Sequence, residues 1–112
     1  MGHCGLVIAL HSSMLKITVE QETKLVTLRV EGRIAGPWVT EFNRTWRSLA
    51  PSLDSKKLFL DLRGVTFIDA DGRHLLAEIY GQTGAEFRTD SLLTGFVVHQ
   101  VMRDSPRNGK EN

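Results

Sequence analysis

Three carboxylates, Asp61, Asp69 and Asp71, fall in a hydrophobic strand and in the turn that opens the next helix, within the stretch Leu58 to Tyr80. Carboxylates so spaced suggest a Mg²⁺ pocket of the kind found in phosphoryl-receiving signalling domains. Such a pocket takes an acceptor Asp at one strand end, two more acids from another strand and usually a Lys. Here one strand and its following turn supply all three acids, so the spacing does not suit it. The turn itself reads Ile68-Asp69-Ala70-Asp71-Gly72, with no nucleophile after Asp69. Asp69 suits a helix N-cap, its carboxylate accepting from the backbone N–H of residue 71 or 72. Asp71 falls in the first helical turn, where a carboxylate gains about 0.3–1 kcal/mol from the helix dipole. His3, His11, His74 and His99 lack metal-ligand spacing. No P-loop, nucleophile elbow or dinucleotide fingerprint occurs. These observations name no catalytic residue, no metal site and no cofactor. They leave a candidate binding surface at Asp69, Ala70, Asp71, Gly72 and Arg73, with the nearby loop of Arg33.

A single domain has to position that surface. The chain has 112 residues, enough for one core and not for two. Its composition is 41% apolar and 24% charged, ordinary for a soluble domain. A formal net charge of +1 makes no electrostatic case for nucleic acid or an anionic membrane. The one cysteine, Cys4, makes no internal disulfide, which fits a reducing cytoplasm. The apolar run Leu6 to Leu10 is too short to span a bilayer and lacks the basic lead of a signal peptide. Met1-Gly2 does not continue into a myristoylation pattern, because position 6 is Leu. The expectation is a cytoplasmic protein without membrane insertion.

The pattern changes at Met14. Residues 1–13 read either as a disordered leader or, through Leu6 to Leu10, as an extra strand on a sheet edge. Leu15, Ile17 and Val19 alternate with Lys16, Thr18 and Glu20, as in a half-buried strand to Gln21. After Glu22-Thr23-Lys24, a second strand from Leu25 to Val30 completes an antiparallel hairpin. Gly32 and Gly36-Pro37 break the pattern, and Pro37 suits the first turn of a helix. Val39, Phe42, Trp46, Leu49 and Leu53 then share a helical stripe, more in keeping with a core than with a cofactor box. Ala50-Pro51-Ser52 ends that helix. Lys57 to Leu62 is a third strand, its apolar run suggesting cover on both faces, with Gly64 and Thr66 loosening its exit. Asp69 opens a helix that buries Leu75, Leu76, Ile79 and Tyr80 and ends at Gly81 and Gly84. A short strand around Phe87, Ala85 to Arg88, precedes a last helix capped by Asp90 or Ser91. That helix bears Leu92, Leu93, Phe96, Val97 and Val101, and Gly95 within it costs about 1 kcal/mol against Ala. From Arg103 the chain is polar and reads as a disordered tail. The folded domain is thus 14–102, of class α/β, with a mixed sheet in which helical crossovers impose parallel pairing beside an antiparallel edge.

The segment Lys57 to Tyr80 resembles the signature of the STAS domain (sulphate transporter and anti-sigma factor antagonist). Leu60-Asp61-Leu62, Gly64-Val65 and Phe67-Ile68-Asp69-Ala70-Asp71-Gly72 carry the resemblance. Val30-Glu31-Gly32-Arg33-Ile34 is similar to that family's second strand and glycine turn. The resemblance spans about Leu15 to Val101. It implies a STAS-like α/β mixed sheet, shortened at the C-terminus, because relatives usually continue through another strand and helix. The sheet is then smaller, borrows Leu6–Leu10 as an edge, or closes by dimerisation, since an uncovered edge invites association.

In phosphorylated relatives a serine after the motif Asp is modified by a partner kinase, and the modification abolishes binding to that kinase. Its position is Ala70 here, which has no hydroxyl, and the next is Asp71. The resemblance therefore implies a non-catalytic, non-phosphorylatable interaction module in bacterial regulation. Its partner would be an anti-sigma-factor kinase-like or sigma regulatory protein, or a transporter component. Asp71 either mimics a phosphate or charge-matches the helix start. The alternative is a small-molecule or lipid-binding accessory subunit of a transport system, with a pocket lined by Trp38, Phe42 and Tyr80. A filled core between first helix and sheet argues for the module, and a sizeable apolar cavity there for the carrier.

Overall fold

Residues 6–11, 15–53 and 55–104 are described by a computed structural model. Alternation along the first hairpin is realised directly. Strands β2 (Leu15–Gln21) and β3 (Leu25–Ile34) pair antiparallel, with Ile17 opposite Val30 and Val19 opposite Leu28, all buried. The turn closes with the Glu22 amide donating to the Leu25 carbonyl at 2.8 Å. Strand β1 (Leu6–His11) pairs antiparallel with β2, so the apolar run of the leader is an edge strand. Residues 1–5, 12–14 and the tail 105–112 lie outside the described residues.

The parallel half of the sheet is longer than the pattern suggests. Strand β4 (Lys57–Ile68) does not stop at Leu62 but runs to Ile68, and β3 does not stop at Val30 but runs to Ile34. Each extension supplies the other's ladder: Glu31 lies opposite Gly64, Gly32 opposite Val65 and Arg33 opposite Phe67. Two register shifts accommodate them, one of them at Gly32, whose φ of 105° falls in a region that L side chains rarely adopt. Strand β5 (Glu86–Arg88) adds a parallel edge beside Phe59 to Asp61. The fold is α/β, with a five-stranded mixed sheet in the order β1-β2-β3-β4-β5.

Three helices complete one core. They are α1 (Pro37–Leu49), α2 (Ala70–Thr83) and α3 (Leu92–Asp104). Phe42, Trp46, Leu49 and, after a 3₁₀ turn at Ala50–Ser52, Leu53 are buried as the stripe predicts, while Val39 is half-buried. Gly84, at φ 66°, ends α2, whereas Gly81 stays inside it, and Tyr80 is half-buried with its ring 6.0 Å from that of Phe87. The core of Leu58, Leu60 and Leu62 lies on one face of β4. Among the described residues no second layer covers its other face. Phe59 there sits half-buried under the Arg88 guanidinium, 5.6 Å from its ring centroid, which accounts for the apolar run.

The phase of α3 differs from a simple apolar stripe. Ser91 accepts from the Thr94 amide at 3.1 Å, and Thr94, Val98 and Val101 face inward. That leaves Leu92, Leu93 and Phe96 exposed. The helix extends two residues beyond Met102, to Asp104. Among the described residues, no helix is long and apolar enough to cross a membrane.

Candidate functional site

The turn between β4 and α2 is fastened at three points. The Asp69 amide donates to the Ile34 carbonyl at 3.1 Å. One Asp69 carboxylate oxygen accepts from the Gly72 amide at 2.8 Å, which makes the expected N-cap. The other accepts from the Gly36 amide at 2.9 Å, which ties α2 to the β3–α1 connection. The Gly36 and Gly72 bonds hold the Asp69 carboxyl below the usual carboxylate range. Gly72 is buried against Ile34, so the helix start and the end of β3 touch backbone to backbone.

Asp69 and Gly72 therefore build the turn, while Ala70, Asp71 and Arg73 stand exposed on it. Arg33 is also exposed, and its guanidinium lies 4.7 Å from the Phe67 ring centroid. The stack follows from register, since Arg33 and Phe67 are ladder partners only because both strands run past their glycines. Phe67 was not singled out as a site residue from sequence. Its signal was the alternation of β4 continued beyond Gly64. The Thr66 hydroxyl donates to the Gly32 carbonyl at 3.2 Å and fixes the same corner. Beside it, Thr66, Phe67, Ile68, Leu93, Thr94 and Val97 line a mainly apolar cleft of about 150 Å³.

The three carboxylates do not form one pocket. Asp61 lies on the uncovered face of β4, where Arg63 grips it through Nε at 3.1 Å and Nη2 at 3.0 Å. The Arg63 amide adds a bond of 3.1 Å, and Arg29 Nε approaches to 3.5 Å. Arg63 above all holds the Asp61 carboxyl below the usual range, and Asp61 in turn raises the Arg63 guanidinium. Among the described residues no three potential metal ligands come together.

Phe42 is fully buried in the core, Trp46 nearly so, and Trp38 packs against the same cluster. Two open clefts lie at α1, one lined by Trp46, Leu53 and Gln82 at its foot and one by Thr40, Arg44 and Arg47 on its outer side. What the turn offers is a fixed polar surface: an exposed carboxylate at Asp71, the guanidinium groups of Arg33 and Arg73, an exposed aromatic edge at Phe67 and no nucleophile. No protein-family model matches the chain, and no curated protein matches it.

Proposed function

We propose that this chain is a STAS-like regulatory module of the cytoplasm that binds a protein partner and performs no catalysis. Its docking surface is Ala70, Asp71 and Arg73 on the platform made by Asp69 and Gly72, extended by Arg33. The observation that carries this reading is the double use of Asp69. With both oxygens committed to backbone amides of two different elements, the turn presents its exposed residues without further ordering, which lowers the entropic cost of docking. The order of strands and helices from β2 to α3 supports the STAS resemblance. The full burial of Phe42 in the core favours the interaction module over a carrier.

Because Ala70 has no hydroxyl, a serine kinase does not set the state of this surface at that position. Incubation with an anti-sigma-factor kinase followed by intact-mass measurement should find no phosphate on Ile68 to Gly72, and phosphate there would sink the reading. In partner capture from the native lysate, Asp71→Arg should weaken recovery about tenfold or more, because a charge reversal at a docking face leaves like charges opposed. Asp71→Ser should have a smaller effect. Unchanged recovery with both variants would move the binding site off this turn.

A further inference from the structure

We propose that β1 is a self-association edge, on which two copies of the chain pair β1 with β1, antiparallel, about a two-fold axis at Ile8. β1 ends the sheet order, and among the described residues no strand pairs with its outer side. All six of its residues sit opposite β2 without a bulge. The outer side therefore presents a straight row of backbone N–H and C=O groups, a template for one more strand. Natural sheets blunt such an edge with charge, proline, a bulge or shortness. The other edge of this sheet is blunted in that way: β5 has three residues, with Glu86 and Arg88 at its ends. β1 reads Leu-Val-Ile-Ala-Leu-His, with no Asp, Glu, Lys, Arg or Pro.

A second copy fits this edge for two reasons. The first is the pattern of the core face. Ile8 and Leu10 are the ladder partners of Val19 and Ile17, which are buried in the core. The apolar row therefore runs on to the last strand, whereas the helices pack over β3 and β4. A two-fold contact makes residue i face residue j and j face i. With the axis perpendicular to the sheet at Ile8, Leu6 lies opposite Leu10 and Val7 opposite Ala9 of the other copy. Residues opposed in a ladder share a face. The helices of both copies then lie on one side of a continuous sheet, and the two apolar rows join. The second reason is charge. Like charges opposed across a ladder keep identical edges apart, and Leu6 to Leu10 carries none. A foreign strand is selected by charge or by pockets for its alternate side chains, and this edge has no charge to select one. The seam lies beyond β2 and β3 from β4, so it leaves the β4–α2 turn open to its own partner.

Sedimentation velocity of the full chain, from low to several hundred micromolar, reads the equilibrium, and amide hydrogen exchange over the same range locates the seam. The wild type should pass from monomer to dimer, and exchange across Leu6 to Leu10 should slow as it does. Val7→Lys should raise the dimer Kd about tenfold or more, because it brings charge to an apolar seam from both copies. The ladder partner of position 7 within the chain is Glu20, so a lysine there keeps β1 paired with β2. Adding Ala9→Glu sets the new lysine of each copy opposite the new glutamate of the other. It should return Kd to within about threefold of wild type, a rescue that loss of folding does not mimic. A wild type that is monomeric throughout overturns the proposal and assigns the edge to a strand of a different protein. So does a dimer whose exchange at residues 6–10 is independent of concentration, a dimer indifferent to Val7→Lys, or an added Ala9→Glu that rescues nothing.

Discussion

A Cβ at position 72 would lie 2.6 Å from the Ile34 carbonyl oxygen and 2.8 Å from its Cγ2. The obstructing atom is backbone and is itself bonded to the Asp69 amide, so it has little room to move. In an ordinary helix Ala is preferred to Gly by about 1 kcal/mol. At this position the clash outweighs that preference, and Gly72→Ala should destabilise by about 1–3 kcal/mol, the usual cost of overpacking. Urea unfolding should show a lowered midpoint with an unchanged slope. A variant as stable as the wild type would mean that α2 does not approach β3 as closely as described. The same contact separates two kinds of residue within Asp69 to Arg73. Asp69 and Gly72 are fixed by what they touch, whereas Ala70, Asp71 and Arg73 stand exposed. Sequence reasoning named all five as a candidate surface, and it placed the cap on Asp69, but not the second carboxylate bond. Gly36 is 33 residues away, and no local pattern announces its amide.

At the scale of elements, periodicity served where burial is one-sided and failed where register or capping decides. The β2 alternation and the α1 stripe were legible because each buries one row of side chains. The upper halves of β3 and β4 were not, because Gly32 and Gly64 look like breaks. They are instead the places where a bulge and the Glu31 side chain need room: a Cβ on Gly64 would lie 2.7 Å from Glu31 Cγ. Arg33 was named from its loop, but its aromatic partner depends on that hidden register. In α3 apolar residues fall on more than one side of the helix, so the pattern left the inward face undetermined. The Ser91 cap and Thr94 set it. Gly95 follows from that phase. A Cβ there meets only the Thr89 hydroxyl, at 3.5 Å, an ordinary contact. Gly95→Ala should therefore stabilise the protein by about 0.5–1 kcal/mol, through helix propensity and a less flexible unfolded chain. A raised melting temperature checks it, and a lowered one would mean that α3 packs more closely at Thr89.

For the whole molecule, two carboxylates on different elements make stability depend on acid. Asp61 grips Arg63 on the uncovered sheet face, and Asp69 joins β3, α1 and α2 at the turn. Both carboxyls are held below the usual value of 3.8, by Arg63 in the first case and by the Gly36 amide in the second. A folded-state pKa below the unfolded one means that the unfolded chain binds protons more readily. The stability each group contributes is then fully present above about pH 4–5 and is lost as pH falls through the depressed folded value. Asp69→Asn keeps one acceptor oxygen but loses the charge, and at pH 7 it should cost about 0.5–2 kcal/mol, the range for a disabled cap. Asp61→Asn should also destabilise, by less than a buried ion pair would, because water solvates the half-exposed guanidinium groups of Arg29 and Arg63 once their counter-charge is gone. The two sites share no bonding partner, so the double variant should approach the sum of the singles. Urea midpoints measured from neutral pH down to about pH 2 should show the wild type falling steeply below about pH 4 and meeting the variants at the acid end. The variants should fall less, since the titrating group is gone. Wild-type and variant curves running parallel through the acid range would show that neither carboxylate couples folding to protonation, and that the Asp69 clamp contributes geometry without charge.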